Sequence, residues 1–231
     1  MLTFTPAEID ALSLSLLVAV WSVCISLPFG IGAAWLLSRR TFPGQSIVDG
    51  LIHLPLVVPP VVVGYLLLIL FGVQGPIGGF LKDTFGVTVI FTWKGAAVAS
   101  AVMAFPLLVR AIRLSIDGVD RGLEQAAATL GASPVRIFFT ITLPLIIPGI
   151  IVGMTLAFAR SLGEFGATIT FVSNIPGETS TLPLALFTKT QTPNADESAL
   201  RLVVISVLLA FIALIISELI TRRVNRRRTK S

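Results

Sequence analysis

Side chains able to do chemistry are scarce in this sequence of 231 residues, which has one histidine, His53, and one cysteine, Cys24. Neither a histidine-based metal site nor an intrachain disulfide can be built from them. A serine–histidine dyad would have to use His53, which stands in an apolar, proline-rich segment and reads as a helix-end packing residue. No Gly-Lys dipeptide occurs, so the phosphate-binding loop G-x-x-x-x-G-K-[ST] is missing, and with it that route to ATP hydrolysis. No catalytic residue and no metal ligand is therefore assigned, and an enzyme has little support. The charges that stand out are Arg160 and Glu164, inside a long apolar stretch where ionisable groups are costly and usually functional. Four residues apart, they face each other on a helix. One reading is a mutual ion pair that fixes the helix against a neighbour. The other is a positive potential along a pathway for a dianion, with Ser161, Thr168 and Thr170 as hydroxyl donors.

The elements that must position these groups are membrane helices. Charged residues make up 13% of the chain and hydrophobic ones 55%, with a mean hydropathy of +0.94. A soluble domain carries about 25% charged residues, so this chain cannot clothe an ordinary globule. A span needs roughly 20 apolar residues, and five stretches qualify, at about 11–38, 47–72, 87–109, 141–172 and 200–220. None alternates polar and apolar residues as barrel strands do. The fold class is an all-α polytopic membrane protein of five spans, one transmembrane domain over 1–222 with a basic tail at 223–231. Glu8 and Asp10 replace the positive charge of a secretory signal, so the first span is expected to be retained.

The connections are asymmetric in Lys and Arg. Arg39, Arg40, Arg110, Arg113, Arg121 and Arg136, with six more in the tail, lie on one side; Lys82, Lys94, Lys189 and Arg201 lie on the other. The positive-inside rule then puts the N-terminus outside and the C-terminus in the cytoplasm. Topogenic charge accounts for the net +5 and pI of about 10.1 without nucleic acid.

Two spans are unusual. The second holds Pro55, Pro59, Pro60 and Gly64, which imply either a static kink or a pore-lining gate element. The fourth would run about 48 Å as one helix, and is expected to end its main helix near Gly163 before a shorter segment. The outer connection from Ser173 to Ser198 is polar and long enough to receive a binding protein, or to be an ordinary solvated loop.

The loop at 117–134 carries the strongest signal. Val119, Leu123, Ala126, Ala127 and Leu130 recur at helical spacing and predict a short amphipathic helix across the cytoplasmic mouth. Asp117 and Asp120 are its candidate caps, Gly131 fits the left-handed residue that ends it, and Ser133 with Pro134 opens the next helix. The stripe is mostly alanine, which suits close docking in a protein groove better than anchoring in lipid headgroups.

Here the sequence resembles the permease subunits of ABC importers, whose signature is E-A-A-x3-G-x9-I-x-L-P. Ala126, Ala127, Gly131, Ile141, Leu143 and Pro144 match it; Gln125 stands at the glutamate position, with Glu124 just before. The runs 38–44, 53–64, 160–167 and 171–179 resemble the molybdate permeases within that family, and related sulfate/thiosulfate and tungstate permeases share parts of them. The resemblance implies two copies of this chain forming the pore, two ATP-binding-cassette ATPase subunits below using ATP and Mg, and an extracytoplasmic molybdate-binding protein above. It also implies that the helix in the 117–134 loop is a coupling helix, with Glu124 and Gln125 among its residues, and tilts Pro59, Pro60 and Gly64 toward the gate. It implies no cofactor bound by this chain and a bacterial inner-membrane location. The chief rival is a secondary transporter driven by an ion gradient, which predicts buried carboxylates in several spans and an internal repeat; the acidic residues within spans are Glu164, Glu218 and, at the start of the second, Asp49.

Overall fold

The computed structural model describes residues 5–228, which form helices and connections without a β-strand. Helix α1 (Pro6–Arg39) begins with Pro6 at its first position, and Thr5 and Glu8 close a reciprocal capping box. Helices α2 (Gln45–Val57), α3 (Pro60–Phe71) and α4 (Pro76–Phe85) follow, then α5 (Trp93–Asp117), capped by Thr92. The short α6 (Arg121–Thr129) leads to α7 (Pro134–Ile137), a π-helical turn at Phe138–Thr142, and α8 (Leu143–Leu162), a continuous helical run over Pro134–Leu162. Helices α9 (Gly166–Val172), α10 (Leu182–Thr190) and α11 (Asp196–Arg228) complete the chain.

Four of these are long and apolar enough to cross a membrane: α1, α5, the run ending in α8, and α11 to Ile216. The second predicted span is broken into α2 and α3, whose axes differ by 115°, and the pair together is long and apolar enough to make a fifth. A residue before proline is driven out of the helical region, and two consecutive prolines do this twice. Val58 (φ −74°, ψ 138°) and Pro59 (φ −52°, ψ 134°) are both extended, so the helix breaks where one proline would have kinked it. The third span is also shifted. Residues 87–92 lie outside the helix, while Arg110 and Arg113 stand within α5. The fourth behaves as expected, with α8 stopping at Leu162 and α9 starting at Gly166. Helices α4 and α10 lie in the connections between the apolar stretches, and residues 223–228 of the basic tail continue α11; 229–231 lie outside the described residues.

Helix α5 is the axle. Two-thirds (67%) of its most apolar stretch is buried, against 6% for α11, which leaves α11 to meet lipid or another chain. Alanines and Ser100 on α5 let α1 and α8 approach closely, as small residues do in membrane interiors. One core cluster joins Leu14 and Val18, Val63 and Leu67, Ala96–Met103, and Ala167–Val172 from α1, α3, α5 and α9. A second joins the later half of α1 to Leu108, Ile112 and Ile116 of α5 and Ile146 and Ile150 of α8. The second lies at the end where Arg39, Arg113 and Arg121 gather.

Candidate functional site

The loop after α5 has the local structure its residues dictate. Asp120 accepts from the Gly122 amide (2.8 Å) and opens α6. Gly131 ends it at φ +85°, a conformation that strains any side chain, while the Ala132 amide donates back to Ala127 (3.1 Å). Ser133 caps α7 through the Arg136 amide (3.3 Å), with Pro134 at the first position. Of the predicted apolar stripe, only Val119 is buried in the chain; Leu123 is half exposed and Leu130 is 88% exposed. Gln125 and Ala126 are exposed as well. The helix therefore presents much of its apolar surface outward.

Glu124 holds this helix in place. Its Oε2 lies 3.1 Å from Arg39 Nε at the end of α1, and its Oε1 accepts from Thr142 Oγ1 (2.6 Å) at the end of the π turn. Both partners of the ion pair are largely buried (9% and 18% exposed). Arg39 also reaches the Val119 carbonyl (3.4 Å). One carboxylate thus ties α6 to the end of α1 and to the start of α8. Arg39 and Thr142 were not singled out in the sequence, where Arg39 is counted only as topogenic charge.

Ile141 lies in the π turn, with Leu143 and Pro144 opening α8 behind it. Pro144 lacks an N–H, and its ring collides with the carbonyl four residues back in a regular α-helix. The wider turn relieves that collision, with Leu143 N donating to Phe138 O. Spacing I-x-L-P therefore marks a built-in irregularity where the loop joins its span. Nearby, Asp49 of α2 pairs with Arg113 of α5 (2.9 Å), and Ser38 of α1 donates to Asp117. His53 takes no part in a dyad; its Nδ1 lies 2.8 Å from the Asp49 carbonyl in its own helix.

At the other end, the two broken spans meet at their breaks. A Cβ on Gly64 would lie 2.6 Å from the Ala167 carbonyl oxygen and 2.9 Å from Thr170 Cβ. A Cβ on Gly166 would lie 2.7 Å from Pro60 Cβ. Helices α3 and α9 are thus keyed together through positions that only glycine can fill. Arg160 and Glu164 flank this contact as an ion pair of 2.6 Å, the Glu164 side chain 1% exposed and that of Arg160 29%. Glu164 Oε1 also accepts from the Ala167 amide (2.9 Å), which turns the chain from α8 into α9. The expected hydroxyl donors are engaged elsewhere, because a hydroxyl in a low-dielectric interior finds the nearest acceptor. Ser161 is within 2.6 Å of Ser22 on α1, Thr168 donates to the Phe165 carbonyl (2.9 Å), and Thr170 to that of Gly166 (3.0 Å). Pro59 remains exposed beside the contact.

The model of the family described as binding-protein-dependent transport system inner membrane component matches residues 26–226. The chain belongs to this family. It is therefore a membrane component of a transport system, with its spans in the inner membrane. It is 62% identical over 218 residues to the molybdenum transport system permease protein ModB of Escherichia coli strain K12, spanning 94% of this chain and 95% of that one. Its counterpart in Haemophilus influenzae is 57% identical over 220 residues, 95% of this chain and 96% of the relative. The sulfate transport system permease protein CysT of Salmonella typhimurium stands further off, at 37% over 89% of this chain and 75% of its own. Among solved structures, a bacterial ABC transporter involved in the import of the acidic polysaccharide alginate superposes with a TM-score of 0.74 at 18% identity, covering 95% of this chain and 80% of that one. At that identity the likeness is one of fold.

Proposed function

We propose that this chain is the pore-forming permease of an ATP-driven molybdate importer. The observation that carries the substrate assignment is the near full-length identity to molybdenum permeases, well above that to a sulfate permease. The chain works as a homodimer, receives the oxyanion from an extracytoplasmic molybdate-binding protein, and rests on two ATP-binding-cassette subunits that use ATP and Mg. Its N-terminus is outside and its C-terminus in the cytoplasm, so that α6 lies on the cytoplasmic face.

In this reading Gln125, Ala126, Ala127 and Gly131 form the surface that docks on the ATPase, and Glu124 transmits the displacement of α6 to α1 and α8. The ATPase can bias the two conformations of the pore only through contacts that differ between them. The keyed breaks, with Pro59, Pro60 and Gly64 on one side and Arg160 and Glu164 on the other, form the outer part of the pathway. Arg160, partly neutralised by Glu164, attracts a dianion without holding it. Uptake of labelled molybdate, tungstate and sulfate by the reconstituted complex tests the assignment: molybdate is expected to be carried in an ATP-dependent way in preference to sulfate, and a preference for sulfate overturns it.

A further inference from the structure

Beside α6, but on the side facing α1 and α7, lies a cavity of about 300 Å³ whose lining includes Arg39, Arg40, Arg121, Glu124 and Gln125. Arg39 is committed to Glu124. Arg40 and Arg121 are exposed, and among the described residues neither has a carboxylate within ion-pair distance. Arg121 reaches only the Ser38 carbonyl (3.4 Å), and the Arg40 guanidinium lies 5.8 Å from the centre of the Trp35 ring. Two cations are therefore uncompensated in one concavity.

A second cavity, of about 360 Å³, shares Trp35, Pro134 and Phe138 with the first and is otherwise lined by Pro28, Ile31, Gly32, Val135 and Phe139. It is apolar throughout. Gly32 leaves open space where a side chain would stand, and the groove follows α1 away from the arginines. From Pro28 to Arg40 is about 18 Å of helix, close to the roughly 15 Å thickness of one hydrocarbon leaflet. A bilayer crossed by α1 would therefore meet the arginines at headgroup level and the groove at the level of the acyl chains, with Trp35 between them, where aromatic residues favour the interface.

We infer that the two cavities together bind one anionic phospholipid, its phosphate between Arg40 and Arg121 and an acyl chain along Ile31, Gly32 and Phe139. A soluble anion would use the first cavity and leave the second unexplained; a neutral lipid would use the second and leave the two cations uncompensated. Basic pockets at the cytoplasmic surface hold anionic headgroups in this way. Since Arg40 follows α1 and Arg121 opens α6, the lipid bridges the lever to the first span. The inference depends on α1 crossing the bilayer, and not on which solute is carried.

The purified full-length chain, titrated in detergent with dioleoyl phosphatidylglycerol or dioleoyl phosphatidylcholine and observed by native mass spectrometry, tests it. One phosphatidylglycerol per chain is expected, retained at least tenfold better than phosphatidylcholine. Arg40→Gln with Arg121→Gln should reduce that preference to twofold or less while phosphatidylcholine retention stays the same. Gly32→Leu, which fills the groove, should weaken both lipids. Equal retention of the two lipids, or a preference that survives the double substitution, overturns the inference. Full displacement of phosphatidylglycerol by millimolar inorganic phosphate would also overturn it, leaving a site for a free anion.

Discussion

Replacing Glu124 by alanine should loosen α6 from the body of the permease without unfolding it. The carboxylate makes two attachments, to Arg39, whose Nη2 donates to Oε1 at 3.3 Å with Nε 3.1 Å from Oε2, and to Thr142, whose Oγ1 donates to Oε1 at 2.6 Å. A hydrogen bond to a charged group contributes about 1.5–3 kcal/mol. The site keeps some contact with water, so the lower end applies to each, or about 3 kcal/mol in all. That corresponds to about 150-fold in the ratio of docked to detached α6, at tenfold per 1.4 kcal/mol. Helix α6 buries none of its own residues in this chain, so little else resists detachment. Hydrogen exchange of the lipid-embedded protein, read on the amides of residues 121–131, should show protection falling by about two orders of magnitude, with α5 unchanged. Arg39→Ala removes one of the two attachments, about 1.5 kcal/mol, and should lower protection about tenfold, while the double variant should lose little more than Glu124→Ala alone, because the Arg39 attachment is already gone. Unchanged exchange in Glu124→Ala, or effects that simply add in the double variant, would refute the reasoning.

Other substitutions have equally definite outcomes. Gly131→Pro imposes φ near −65° where the backbone is at +85° and removes the N–H that donates to Ala128; ATP hydrolysis by the assembled complex should continue while uptake falls at least tenfold. Gly64→Val drives its side chain into the Ala167 carbonyl, an overpacking worth about 1–3 kcal/mol, visible as a lower Tm, and Gly166→Ala should do the same against Pro60. Arg160→Gln leaves the buried Glu164 carboxylate without its cation, a loss of about 3–5 kcal/mol. Adding Glu164→Gln should recover most of that stability, so uptake measured in the stable double variant isolates the part Arg160 plays toward the anion: loss supports the pathway role, and normal rate and selectivity leave only a structural one.

The features legible in the sequence are those encoded locally. Hydropathy identified the membrane segments, and the caps at Asp120, Gly131 and Ser133 could be read because each acts within three or four residues of itself. The end of α8 at Leu162 followed from glycines and length. The break at Val58–Pro59 was half legible: the prolines were evident, but a kink was weighed where two extended residues in succession produce a 115° turn. Hydropathy ends the third span at Val109 and assigns Arg110 and Arg113 to a loop, whereas α5 continues to Asp117 with Arg113 paired to Asp49 of α2. Long-range pairings carry no local mark. The partner of Glu124 on α1 is 85 residues away, and the glycines of α3 and α9 that key the breaks together, Gly64 and Gly166, are more distant still. Helix α10 was missed because its anchors, Leu182 against Ala11 and Leu202, come from both ends of the chain.

The most direct test of a conduit worked from its cytoplasmic side is molybdate accumulation in proteoliposomes, with ionophores present to abolish every ion gradient. Uptake should require the ATP-binding-cassette subunit, ATP and the binding protein together, and should be insensitive to the ionophores. Accumulation by this chain alone, collapsing when the ionophores are added, would contradict it.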